Sequence, residues 1–131
     1  MRAVDGVTLE VPRGQFLALV GRSGSGKSTL LNLLAGIDQP TSGEIWIGSQ
    51  EISRLTDDEQ TRLRRERIGM VYQFFNLLPT LSVLENVALP ALLAGEREAA
   101  VLSRARGLLA EMDLLPRANS RPHTLSGGEM Q

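Results

Sequence analysis

The sequence predicts an α/β fold with a small β subdomain and a helical subdomain. Three observations carry this. The run QFLALV at 15–20 is almost continuously apolar and lies between Gly14 and Gly21, the pattern of a strand buried on both faces in a parallel sheet. A glycine-rich turn, GRSGSGKST at 21–29, follows at once and leads into leucines at 30, 31, 33 and 34, which share helical spacing. Strand-like stretches crowd the first half, whereas helical periodicity dominates from about residue 80 to about residue 115.

Taken in chain order, Val7, Leu9 and Val11 alternate with Thr8 and Glu10, which predicts a half-buried strand. Pro12-Arg13-Gly14 is a turn into the buried strand. Gly36 is placed to end the helix that follows 21–29. QPTSG at 39–43 is a turn, and EIWIG at 44–48 a further strand. Thr56 and Glu59 stand three apart, a capping box that opens a charged helix. Its arginines, Arg62, Arg64, Arg65 and Arg67, form a solvated face. IGMVY at 68–72 is another short strand, ending at Gln73. Ser82 and Glu85 form a second capping box, and Pro90 ends or bends the helix it opens. Val101, Leu102, Ala105, Leu108, Leu109 and Met112 mark one face of a longer helix.

Composition narrows the function classes. At 131 residues with 42% apolar content, the chain can bury a core of its own. A net charge of −1 offers no whole-molecule attraction to nucleic acid. The absence of cysteine excludes disulfides and thiolate metal sites. The longest apolar run, Val87 to Ala94, is broken by Pro90 and falls far short of the ~20 residues of a membrane span. The first ten residues, MRAVDGVTLE, hold no apolar signal core, so a soluble cytoplasmic domain is the default.

The 21–29 segment fits G-x-x-x-x-G-K-[ST] through Gly21, Gly26, Lys27 and Ser28. The chemistry of phosphate binding explains these residue types. Glycines let backbone N–H groups face phosphate oxygens, and the start of the next helix adds partial positive charge. Lys27 reaches the β- and γ-phosphates, the Ser28 hydroxyl ligates Mg²⁺, and Thr29 bonds an α- or β-phosphate. Arg22, Ser23, Gly24 and Ser25 complete the expected phosphate-binding loop, the segment to which ATP is assigned by the resemblance given below.

Two later motifs extend the pattern. VYQFFNLLPTLSVLENV at 71–87 puts Gln73 before an apolar loop, and LSGG at 125–128 follows a helical insert. With the phosphate loop, this resembles the nucleotide-binding domain of an ATP-binding cassette (ABC) transporter, with its Walker A loop, Q-loop, helical subdomain and signature motif. The likeness covers nearly the whole chain. LRRERIGMVYQFFNLLPTLSVLENVALPALLAG and LSGGEMQ are most similar to the subfamily serving lipoprotein release and macrolide export.

The resemblance implies an α/β P-loop cassette domain cut short. It divides into 1–79 (β subdomain and P-loop core), 80–124 (mainly helical) and 125–131 (signature). It implies ATP and Mg²⁺ as cofactors, with Lys27 and Gln73 in catalysis and Ser28 and Gln73 on the metal. Ser126, Gly127 and Gly128 would grip the ATP of a second ATP-binding subunit. A membrane-spanning permease subunit would hold the pair at the cytoplasmic face of the membrane, with no role for nucleic acid. Phe74, Phe75, Leu77 and Leu78 are either core of the helical subdomain or part of the groove for the permease.

Some family features have no counterpart in these residues. No aromatic stands in 1–15 to stack on adenine, and the Walker B aspartate, catalytic glutamate and switch histidine all follow the signature motif in the family. His123 precedes it and does not match. The 131 residues alone are therefore expected to be catalytically inactive. The strand into the Walker loop also pairs, in the family, with strands beyond the signature, which would leave 15–20 without a ladder. The competing readings are a soluble ABC-type ATPase, acting in DNA repair or on the ribosome, and a non-enzymatic module.

Overall fold

The computed structural model describes residues 3–130. They divide into two compact units, Met1–Met70 and Val71–Gln131.

The first unit is built on helix α1 (Lys27–Leu34), a hairpin of strands β1 (Trp46–Ile47) and β2 (Gln50–Glu51), and helix α2 (Asp57–Arg67). Gly36 ends α1 as expected. At φ +62 it lets its own N–H reach the Leu33 carbonyl at 3.1 Å and the Ile37 N–H reach that of Asn32 at 2.9 Å. A residue with a Cβ resists this left-handed conformation. The hairpin is antiparallel, pairing Trp46 with Glu51 and Ile47 with Gln50. It leads into Ile52, which is fully buried; Ala35 and Leu63 are the other buried apolar residues of this unit among those described. The capping box of α2 is present, with Thr56 N–H donating to Glu59 Oε2 at 2.8 Å and Glu59 N–H to Thr56 Oγ1 at 3.4 Å. Acids fill its first turn and arginines its last, as the helix dipole favours. Arg64 departs from the expected solvated face. It is half-buried and donates to the Gly36 carbonyl, tying α2 to the end of α1.

The expected strands at 7–11, 15–20 and 68–72 are corrected. Among the described residues the only paired strands are β1 and β2. Segment 15–20 has no ladder, the outcome the family resemblance implied for these residues, and Phe16 is 92% and Val20 89% exposed. Hydrophobic pattern says what a strand would bury, but a strand exists only where neighbouring backbone supplies N–H and C=O partners.

The second unit holds helices α3 (Val83–Leu93) and α4 (Glu98–Glu111), 3-10 turns at Leu115–Arg117 and Pro122–Thr124, and a final helical turn, α5 (Gly127–Met130). Helix α3 opens on the expected box, with Glu85 Oε2 accepting from Ser82 N–H at 2.6 Å and from its hydroxyl at 2.7 Å. The two helices pack through Val83, Leu84 and Ala88 against Val101, Ala105 and Leu109, with Ala118 closing the cluster. Pro90 does not end α3, which runs on to Leu93. Pro90 has no N–H to donate, but it lies on the exposed side of the helix, while Ala88 before it and Ala91 and Leu92 after it keep to the core side. Leu108 and Met112 are also corrected. They are 48% and 71% exposed, whereas 101, 105 and 109, one turn apart, are buried and Leu102 packs against the same cluster.

Val101→Ala is expected to destabilise the second unit by about 1–3 kcal/mol, whereas Leu108→Ala should change stability by less than about 0.5 kcal/mol. Denaturant unfolding with hydrogen exchange on α3 and α4 distinguishes the two. The bonds from Ser82 hold the Glu85 carboxyl below its ordinary pKa of 4.5. Because the folded value is depressed, the box stabilises α3 above that pH and is lost as pH falls through the lowered value. The Ser82 amide proton is expected to shift with a midpoint below 4.5 in an NMR titration; a midpoint at or above it would show that the box does not form in solution.

Candidate functional site

The Walker-type loop lies in the first unit and is shaped by two left-handed glycines, Gly24 at φ +79 and Gly26 at φ +86. A tight turn, Ser25 N–H to the Arg22 carbonyl at 3.2 Å, folds the loop back on itself. Gly26 is then the N-cap of α1, and no side chain caps the helix there. A Cβ on Gly26 would come within 2.2 Å of the Ala3 carbonyl oxygen, so close approach and positive φ both require glycine.

The start of α1 differs electrostatically from every other α-helix among the described residues. It has no acid in its first turn, whereas α2, α3, α4 and α5 each have at least one. Its first N–H groups and dipole are therefore neither capped nor neutralised by its own side chains. Lys27 adds a full positive charge. Its Nζ donates to the carbonyls of Gly21 and Arg22, both at 2.8 Å, and more weakly to Ser25 Oγ at 3.3 Å. Among the described residues it has no carboxylate partner. Ser28 is exposed one residue into the helix and Thr29 half-buried. The chemistry this favours is the binding of a multiply charged anion.

Gln73 and the 125–128 turn belong to the second unit. Gln73 is exposed in a turn and not at a strand end. After it, Phe75 and Asn76 adopt positive φ of 46° and 51°. Phe74 is 81% exposed, and none of Phe74, Phe75, Leu77 and Leu78 joins the buried cluster, so the reading of these four as helical-subdomain core is corrected. The far end of the loop is held by Asn86. Its amide accepts from Leu78 N–H at 2.8 Å and donates to the carbonyls of Leu78, Leu81 and Ser82.

The signature-like turn is anchored by Leu125, which packs on the α3–α4 cluster and leaves Ser126, Gly127 and Gly128 exposed. Ser126 caps α5 by a third capping box. Its N–H and hydroxyl donate to Glu129 Oε2 at 2.8 and 2.7 Å, and its Oγ accepts from Glu129 N–H at 3.4 Å. Arg117 pairs with Glu129 at 3.1 Å. The bonds from Ser126 first, then Arg117, lower the pKa of this carboxyl. Sequence reasoning missed Glu129, although S-x-x-E at 126–129 repeats the spacing read at 56–59 and 82–85. Arg117 and Asn86 left no comparable signal, because their partners are chosen by the fold.

Comparison with known proteins gives the family. The family model described as "ABC transporter" matches residues 4–131. The lipoprotein-releasing system ATP-binding protein LolD of Xylella fastidiosa (strain Temecula1) is 48% identical over 127 residues, covering 97% of this chain and 53% of LolD. The macrolide export ATP-binding/permease protein MacB of Burkholderia thailandensis is 48% identical over 128 residues, covering 98% of this chain and 20% of MacB. This chain thus spans about half the length of LolD. Among solved structures, the dimeric ATP-binding cassette MJ0796 bound to ADP and Pi superposes with a TM-score of 0.84 at 41% identity, over 93% of this chain and 54% of that one. With its glycine-opened, acid-free helix start and a match along almost its whole length, the chain belongs to the ABC transporter family.

Proposed function

We propose that these residues are the nucleotide-gripping part of an ATP-binding subunit that couples ATP binding and hydrolysis to transport by a lipoprotein-releasing or exporter-type complex. The observation that carries it is the start of α1, where N–H groups without a side-chain cap and Lys27 concentrate positive charge and the first turn holds no acid. The names of the LolD and MacB relatives support the transport class.

Within this reading, Gly21 through Thr29 wrap the phosphates. Lys27 gives up its carbonyl partners for β- and γ-phosphate oxygens, which are stronger acceptors because they are charged. The donor set fits Mg²⁺. Among the described residues no cluster of three His, Cys, Asp or Glu could hold a metal, and the exposed Ser28 hydroxyl is a hard oxygen ligand. Mg²⁺ typically takes few protein ligands beside phosphates and water, and in the first unit the Ser28 hydroxyl would be one of them. When bound, it neutralises charge building on the phosphates. Ser126, Gly127 and Gly128 present a second donor edge, which we assign to the ATP of a second subunit; the dimeric state of the MJ0796 cassette supports that assignment. No helix among the described residues is long and apolar enough to cross a membrane. Attachment to the cytoplasmic face through a permease subunit follows from this reading.

In the full-length protein, Lys27→Ala is expected to lower ATP hydrolysis by at least about a hundredfold, since it removes a charge aimed at the transferred phosphoryl group; near-normal phosphate release by this variant would remove the Walker assignment. The 131-residue chain by itself is expected to show no turnover in the same assay. Steady hydrolysis that Lys27→Ala abolishes would show that these residues already hold a complete catalytic set.

A further inference from the structure

We propose that Glu129, held by Arg117, is a positioning residue for Ser126: it fixes the direction of the hydroxyl proton, and its charge, balanced by Arg117, sets how strongly the 126–128 turn attracts a nucleotide triphosphate. The inference rests on the reading of that turn as a contact for a second subunit's ATP.

Ser126 has one hydroxyl proton and one backbone N–H, and both are donated to the same oxygen, Glu129 Oε2, at 2.7 and 2.8 Å. For the hydroxyl to donate to a phosphate oxygen, it rotates off one charged acceptor onto another. The proton stays on Ser126 throughout, and only a hydrogen bond is exchanged. Glu129 therefore competes with the phosphate for that donor. It also places a negative charge two residues from Gly127, where an anion is to be received. Arg117 offsets that charge through its Nε at 3.1 Å from Glu129 Oε1, the oxygen that Ser126 does not use.

Arg117 is well placed for this because its segment is fixed. It ends the 3-10 turn Leu115–Arg117, and the next residue, Ala118, lies in the core cluster. The Ala118 and Ser120 carbonyls accept from Leu84 and Val83 N–H at 2.9 and 3.0 Å. The same connector carries Arg121, which bonds the Thr80 carbonyl and pairs with Glu85 at 3.6 Å. Two capping-box glutamates thus each face an arginine of one rigid connector.

The two partners of the Arg117–Glu129 pair have opposite signs, so their removal has opposite effects on anion binding. That pattern separates positioning by charge from a purely structural role, in which both removals would weaken binding. Gln at 129 keeps the capping geometry while removing the charge. In the full-length protein, ATP-dependent dimerisation followed by light scattering is the readout, with the thermal unfolding midpoint measured alongside. Glu129→Gln is expected to lower the ATP concentration at half-dimerisation about fivefold, and Arg117→Gln to raise it about fivefold, both less so at high salt. The double variant should fall within about twofold of the parent, and Arg117→Lys should restore it. Weakening by both single variants, or a change in neither, overturns the inference. Ser126→Ala serves as the control. If it weakens dimerisation while the charge variants change nothing, the signature contact stands and the positioning role fails; if it too has no effect, the contact itself is wrong.

Discussion

A helix start with no acid of its own is the constraint on which the anion-favouring loop of the first unit depends. Every helix leaves several N–H groups unpaired at its first turn, and the usual remedy is a capping side chain or a nearby carboxylate. Helices α2, α3 and α5 use both. Helix α1 uses neither and opens on Gly26, whose left-handed φ turns the preceding loop back over the helix end. Lys27 then sets an ammonium group against loop carbonyls at 2.8 Å. Neutral carbonyls satisfy its donors but not its charge, so the site retains a strong preference for an anion.

The second unit follows a different logic. Its core is small, two helices meeting through Val83, Leu84, Ala88, Val101, Ala105 and Leu109, and its loops are fixed largely by polar contacts. Asn86 gathers the chain from Leu78 to Ser82, and the connector with Arg117 and Arg121 gathers the starts of α3 and α5. Several of these bonds are partly exposed and individually weak, on the order of 1 kcal/mol or less. They act together because the connector is held at Ala118 by burial and at Ala118 and Ser120 by backbone bonds. The signature-like turn therefore sits exposed on a well-defined support.

Much of the local structure was legible in the residues. The boxes at 56–59 and 82–85 and the glycine stop at 36 follow from spacing alone, because each depends on atoms within about two turns of chain. The strands at 7–11, 15–20 and 68–72 did not form as read, since pairing depends on backbone that no local pattern specifies. Leu108 and Met112 fit the helical stripe as well as Leu109 does, yet only contact with α3 decides which of them is covered.

By itself the sequence determined the glycine-rich loop at 21–29, the order of the motifs and, through them, the family. A glycine with positive φ, a lysine after it and a serine next in line constrain chemistry over a few bonds, and such constraints are written in consecutive residues. Tertiary structure alone decided that Arg64 closes the end of α1, that Arg117 reaches Glu129 across the connector, and that Leu108 and Met112 stand exposed. Those outcomes join or separate residues far apart in the chain. Long-range partners are selected by packing and by the available backbone donors and acceptors, which no short stretch of sequence encodes.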